Sequence, residues 1–99
     1  LSMGGLLSDR RMKENVHDAD ADMRKFLDAL QPYQFEYRGQ PGTHYGVMAQ
    51  DAERSPVGDS FVEEGPGGVK TLDPNQGFGA VLAALANLNK RLEGVERNG

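Results

Sequence analysis

The stretch FGAVLAALANLNKRLEGV, residues 78–95, carries the most regular hydrophobic pattern in this chain. Its large apolar residues follow alternating spacings of three and four, as the a and d positions of a heptad repeat do: Phe78, Val81, Leu85, Leu88, Leu92 and Val95. The alanines between them are strong helix formers. The pattern predicts a long C-terminal helix, and it leaves two interpretations open. Either this face packs on the core of a monomer, or it forms an exposed seam that pairs with copies of itself.

Two further signals place helices upstream of that stretch. Asp73 followed by Pro74 is typical of a helix start, with an N-cap before a proline in the first turn. From Asp20 to Leu30, apolar residues at i, i+3, i+4 and i+7 predict an amphipathic N-terminal helix. Pro32 ends that helix, because the residue before a proline is disfavoured in the helical conformation.

Alternation between apolar and polar residues predicts two hairpins. Aromatic residues at every second position of 33–37 indicate a strand, 39–42 a turn, and 44–48 the returning strand. Residues 60–63 and 69–72 predict a second pair of strands around a glycine-rich turn.

Residues 49–54 predict a short helix between the two hairpins, and Pro56 and Gly58 are expected to break it. The predicted fold class is therefore α+β: an N-terminal helix, short antiparallel hairpins and a long C-terminal helix.

Composition limits the function classes. The chain has 99 residues, 37% of them hydrophobic, and no cysteine. A single small domain with so thin a core usually needs an additional source of stability, and with disulfides excluded we expect self-association. A net charge of -4 argues against nucleic-acid binding. No apolar run approaches the roughly 20 residues of a membrane span, and no cofactor is expected.

Metal binding is not expected either. Asp18, Asp20 and Asp22 match the first spacings of a calcium loop, but Met23 and Ala29 stand where that loop needs glycine and glutamate. The two histidines, at 17 and 44, have no ligand spacing to each other or to a third residue. An acidic helix start explains the aspartates, since the helix dipole favours negative charge there.

A serine and a lysine near the N-terminus form a candidate nucleophile and base. Ser8 follows the apolar pair Leu6-Leu7, and Lys13 comes five residues after it. A serine hydroxyl needs a base to take its proton, and lysine serves in known serine–lysine variants of the catalytic triad. On spacing alone, a capping serine beside an exposed lysine is the better explanation of the pair.

Ser8 to Val16, SDRRMKENV, resembles the S-D-x-R-x-K-x-N-(I/V) opening of a known family. This is the self-cleaving intramolecular chaperone domain at the C-terminal end of phage tailspikes, tail fibres and related trimeric adhesins. Residues 27–37, LDALQPYQFEY, and 46–53, GVMAQDAE, are similar to its later blocks, and residues 70–73 with the C-terminal helix look like its closing segment. The resemblance covers about residues 7–97. It departs from the family in the glycine-rich stretches 65–68 and 77–79.

The resemblance implies a domain that forms a homotrimer through a coiled coil of the C-terminal helices. It assists folding of the upstream stalk of the same polypeptide and then releases itself. Residues 1–7 would end that stalk, and 8–99 would be the chaperone and auto-peptidase domain of a phage tail fibre or a bacterial surface fibre. Ser8 would be the nucleophile and Lys13 its base, with Asp9, Asn15 and Gln50 in support.

Ring size selects the bond that is cut. The hydroxyl of Ser8 reaches the carbonyl of Leu7 through a five-membered ring, whereas its own carbonyl would need a four-membered one. Cleavage is therefore expected at Leu7–Ser8. Two alternatives remain open: a trimerisation and capping module that stays on its fibre uncut, and a generic coiled-coil domain in which the Ser8–Lys13 pair is accidental.

Overall fold

The computed structural model describes residues 5–98, so residues 1–4 of the predicted stalk end lie outside the described part. Within these residues, four α-helices follow in chain order: α1 (Asp20–Ala29), α2 (Ala49–Ala52), α3 (Pro56–Asp59) and α4 (Pro74–Asn98). In the same part of the chain, four strands lie between them: β1 (Tyr33–Tyr37), β2 (Gln40–Gly46), β3 (Val62–Glu64) and β4 (Lys70–Leu72). Antiparallel pairing of β1 with β2 and of β3 with β4 gives two separate hairpins. The α+β prediction is confirmed.

The small core lies where α1, α3 and α4 meet. Met23 and Phe26 of α1 pack with Phe61 and with Ala84 of α4. The rings of Phe26 and Phe61 meet edge to face, with centroids 5.7 Å apart, which is a favoured aromatic geometry. The predicted apolar face of the N-terminal helix is therefore the face that is buried.

Helix α4 begins as predicted, since the carboxylate of Asp73 accepts a hydrogen bond from the backbone N–H of Asn75 at 3.1 Å. Its alanine side faces the body of the domain. Its six heptad residues, from Phe78 to Val95, are between 38% and 67% exposed. Of the two interpretations of the heptad, the core-facing one is wrong for the single chain: its large residues form an exposed apolar seam.

The first hairpin turns more tightly than predicted. Residues 39–42 were expected to form the turn, but β2 already starts at Gln40, and the turn is confined to residues 38–39. Gly39, with a φ of +76°, closes this tight turn. Pro41 and Gly42 are absorbed into an irregularity in the pairing, between Phe35↔His44 and Tyr37↔Gln40, where an edge strand tolerates proline.

The helix predicted at 49–54 ends before Pro56, as expected, but Pro56 then begins a second helix that was not predicted. It occupies the first turn of α3, where its missing N–H costs nothing. The hydroxyl of Ser55 caps this helix by accepting a hydrogen bond from the N–H of Gly58 at 3.1 Å. Gly58 packs against α2 so closely that a Cβ there would lie 1.9 Å from the carbonyl oxygen of Ala52. The predicted helix at 49–54 is therefore present as the shorter α2, and α3 is an additional short helix that packs against it.

The second hairpin lies within two residues of its predicted position and is tied to α2. The ammonium of Lys70 on β4 donates to both carboxylate oxygens of Glu53, at 2.5 and 2.6 Å. Glu53 closes the segment 46–53 that is similar to a family block, so the ion pair connects that block to the second hairpin. Within residues 5–98, no helix has both the length and the apolar character of a membrane span.

Candidate active site

The side chains of Ser8 and Lys13 meet on the N-terminal arm, which we define as residues 5–19. The Nζ of Lys13 donates a hydrogen bond to the Oγ of Ser8 at 3.0 Å. A single 3₁₀ turn, Arg10–Met12, produces this contact by folding the chain back on itself. The backbone N–H of Lys13 closes the turn on the carbonyl of Arg10 at 3.1 Å.

Asp9 holds that turn in place. Its carboxylate caps the 3₁₀ turn by accepting a hydrogen bond from the backbone N–H of Arg11 at 2.8 Å. The same carboxylate pairs with the Arg11 guanidinium, at 3.1 Å to Nε and 2.8 Å to Nη2. The guanidinium and the backbone N–H lower the pKa of Asp9, so its charge persists into mildly acidic solution. Asp9 therefore positions Lys13 through the turn and makes no direct bond to it.

The pair is exposed in the single chain, as is every residue from Ser8 to Ala19. A lysine acts as a base only as the neutral amine, and burial is the usual way to destabilise the charged form. The arrangement thus has the contact that nucleophile activation needs, but it lacks exclusion of water.

An open groove of about 790 Å³ lies between the arm and the body of the domain. Leu6, Leu7, Ser8 and Lys13 line it on one side. The other side is formed by residues from α1, α3 and the first turns of α4: Met23, Pro56, Val57, Ser60, Asp73, Asn75, Gln76, Gly79, Ala80 and Ala83. The groove thus places the body of the domain directly opposite the bond between Leu7 and Ser8.

The family model for the chaperone of endosialidase matches residues 8–63, more than half of the chain. The chain belongs to the chaperone of endosialidase family. No curated protein and no solved structure matches it. The family model is named as that of a peptidase. Membership supports an intramolecular chaperone role, a peptidase-related activity and an association with phage tail fibres.

The match to the endosialidase chaperone family begins at Ser8, the residue predicted to start the domain. It runs through the Ser8–Lys13 pair, α1, the first hairpin and the two short helices, and it ends in β3. The family model therefore covers the arm from Ser8 onward and three of the four core residues, whereas α4, with Ala84 and the seam, lies beyond the matched residues.

Two of the predicted supporting residues lie away from the groove of this family member. Asn15 adopts a φ of +55°, a left-handed conformation that asparagine tolerates, and it bends the arm beyond Lys13. Gln50 is exposed on α2. Neither lines the groove beside Ser8, and their supporting role stays a prediction.

Other amide side chains do line that groove. Asn75 and Gln76, in the first turn of α4, share it with Ser8 and Lys13. Amide N–H groups are suitable donors to a developing oxyanion. Nothing in the sequence indicated this proximity, because more than 60 residues separate the two amides from Ser8. The Asp73-Pro74 helix start placed them in the first turn of α4, but it did not indicate which residues lie next to them in space. Among the described side chains, no three histidine, aspartate or glutamate residues cluster as metal ligands would.

Proposed function

We propose that this chain is a C-terminal intramolecular chaperone that trimerises, assists folding of an upstream fibre or adhesin, and releases itself by cutting the Leu7–Ser8 bond. The observation that carries the proposal is the 3.0 Å contact between Lys13 Nζ and Ser8 Oγ, at the residue where the family match begins. In this assignment residues 1–7 end the released stalk and residues 8–99 are the chaperone and auto-peptidase domain.

The reaction proceeds in two steps. First, neutral Lys13 accepts the hydroxyl proton of Ser8, and the Oγ attacks the carbonyl carbon of Leu7 through a five-membered ring. The tetrahedral intermediate collapses by breaking the Leu7–Ser8 C–N bond, and the proton passes to the departing nitrogen. The product is an ester between Leu7 and the Ser8 hydroxyl.

Water then hydrolyses that ester. The products are a carboxylate on Leu7 and a free amino group and hydroxyl on Ser8. The nucleophile and the scissile bond belong to adjacent residues, so the site needs no affinity for a separate substrate and turns over once. Asp9 holds the turn that presents Lys13, and Asn15 and Gln50 are assigned as further support, from the same chain or from a neighbouring copy.

Because Ser8 and Lys13 are exposed in the single chain, assembly of the trimer is the event expected to start cleavage. In the single chain both side chains are exposed to water, whereas burial is what favours the neutral amine that a base needs. Packing of further copies against the arm removes that water. Cleavage then reports that assembly has succeeded, and loss of the chaperone leaves the fibre kinetically trapped in its folded state.

The exposed seam on α4 supports the trimer. Isolated apolar residues on a surface are common, but six of them aligned at heptad spacing form a continuous stripe. A stripe of this kind, from Phe78 to Val95, is stabilised by packing against equivalent helices. Its partners are two further copies of this chain, with neither nucleic acid nor membrane involved, and its place is a phage tail fibre or a bacterial surface fibre.

Intact mass tests this function. The chain is expressed with a folded reporter domain before Leu1, as wild type, Ser8→Ala and Lys13→Ala. Lys25→Ala is the matched control, because Lys25 is an equally exposed lysine on α1. We expect wild type and Lys25→Ala to split at Leu7–Ser8, while the two site variants stay whole and oligomeric. Cleavage in Ser8→Ala at the wild-type rate overturns the assignment of the nucleophile.

A second function is favoured by the exposed lysine. If Lys13 stays solvated in the assembled protein, the domain is a permanent trimerisation and capping module that remains attached to its fibre. Its signature in the same experiment is a wild-type chain that is oligomeric and stays whole. The generic coiled-coil alternative differs in one respect: Ser8→Ala and Lys13→Ala leave folding of an upstream stalk unchanged.

A further inference from the structure

Part of the body side of the groove is apolar, while polar residues such as Asn75 and Gln76 line the rest. Met23 of α1 is buried at its floor, and Val57 of α3, Ala80 and Ala83 pack against the core beside it. Small residues dominate the α4 side, and Gly79 has no atom within 4 Å of where its Cβ would be. The body therefore offers an apolar space with room for additional side chains.

The arm presents two apolar side chains to that space. Leu6 and Leu7 line the same groove and are 45% and 50% exposed. They directly precede Ser8, so they lie on the acyl side of the proposed scissile bond. Further along the arm, Val16 is 75% exposed and does not line the groove. The apolar residues that face the groove are thus the two next to the cleavage site.

We propose that this groove is the specificity site of the self-cleavage: it binds the side chains of Leu6 and Leu7 and selects apolar residues before Ser8. The inference rests on the proposed function. Movement of the leucines into the groove brings the arm against α3 and α4. Because Lys13 lies on the same arm and lines the same groove, this movement also removes water from the Ser8–Lys13 pair. Substrate recognition is then the first step in activation of the base, and packing of further copies completes it.

Cleavage rates of the reporter fusion test the groove from both sides. Leu7→Ser removes the apolar group and is expected to slow cleavage about 10- to 100-fold, the usual effect of losing apolar contacts in a specificity pocket, whereas Leu7→Met stays near wild type. Gly79→Leu fills the groove and is expected to slow cleavage similarly. Gly94→Leu is its matched control, because Gly94 lies on the same helix with equally open surroundings. Leu7→Ala combined with Gly79→Leu should recover part of the lost rate.

A trypsin assay gives a readout that does not depend on cleavage. In a Ser8→Ala background, trypsin cuts the arm after Arg10, Arg11 or Lys13. Anchoring of the leucines in the groove restrains the arm and slows this digestion. We expect Leu7→Ser and Gly79→Leu to speed digestion at least about threefold, and Val16→Ser to leave it unchanged.

The outcomes separate the two proposals. If the wild type cleaves itself and both groove variants do so at its rate, the groove is not the specificity site, and the proposed function stands. If the wild type stays whole, the self-cleavage is wrong. In that case the trypsin assay decides whether the groove binds the leucines, and equal digestion of all variants overturns that binding.

Discussion

The Asn87 side chain on α4 donates hydrogen bonds to the backbone carbonyl and the carboxylate of Asp20 on α1, at 3.3 and 3.1 Å. The two residues are 67 positions apart in the chain. Lys90, one turn further along α4, pairs with the same carboxylate at 2.8 Å. These polar contacts fix how α1 lies against α4, while the apolar core beside them supplies non-directional attraction.

Asn87→Ala is expected to lower the free energy of unfolding by about 1–2 kcal/mol, because two hydrogen bonds are lost and a cavity opens at a buried site. Urea denaturation measures the change. Asn89→Ala is the control, because Asn89 is exposed and bonds to Glu93 on its own helix. Equal losses in the two variants would contradict a specific role for the Asn87–Asp20 contact.

Asp20 makes stability sensitive to acid. Hydrogen bonds from Lys90 and Asn87 lower the pKa of Asp20 below its ordinary value of 3.8. A carboxyl whose pKa is lower in the folded state stabilises the fold at pH values above its pKa in the unfolded state. That contribution disappears as the pH falls through its pKa in the folded state. The Tm of Asp20→Asn should therefore decrease less steeply than the Tm of the wild type as the pH falls below about 4. Asp22→Asn, an exposed neighbour on α1, should keep the wild-type slope; if it matches Asp20→Asn, the ion pair is not the cause.

Gly58→Ala is expected to cost more than about 2 kcal/mol of unfolding free energy, because its Cβ would lie 1.9 Å from the carbonyl oxygen of Ala52 and the backbone of α2 cannot yield cheaply. Gly94→Ala makes the same chemical change on α4 in open surroundings. There the substitution should stabilise by about 0.5–1 kcal/mol, since alanine favours helix over glycine. Denaturation curves for the pair provide the measurement. A stable Gly58→Ala variant would refute the close packing of α2 against α3.

Leu85→Glu is expected to dissociate the proposed trimer, because it places a charge in the middle of the exposed seam. Sedimentation velocity at several concentrations reports the change in mass, and the single chain should keep its helical circular dichroism. Ala86→Glu is the control, because Ala86 is an exposed neighbour outside the heptad positions. If both variants sediment like the wild type, the seam does not hold the copies together.

Local sequence signals placed the regular elements well. The apolar spacing of Met23 and Phe26 identified the buried face of α1, and the Asp73-Pro74 pair located the start of α4. They were incomplete at prolines whose effect depends on neighbours. The helix before Pro56 ends as predicted, but beside the Ser55 cap Pro56 also begins a new helix that the breaker signal did not predict. Gln40 to Gly42 likewise adopt a strand conformation because β2 pairs with β1. Turn propensity takes no account of this pairing and predicted a turn there.

The sequence by itself determined the family, through several blocks in the right order, and it identified the Ser8–Lys13 pair and the helix periods, because these depend on residues close together in the chain. Lys13 reaches Ser8 through one 3₁₀ turn, and that turn is held by Asp9 and Arg11 between them. Only the tertiary structure decided that the heptad face is exposed and that α4 lies opposite the Leu7–Ser8 bond. Both features depend on which side of α4 packs against Met23 and Phe26. That side is selected by contacts between residues about 60 positions apart in the chain.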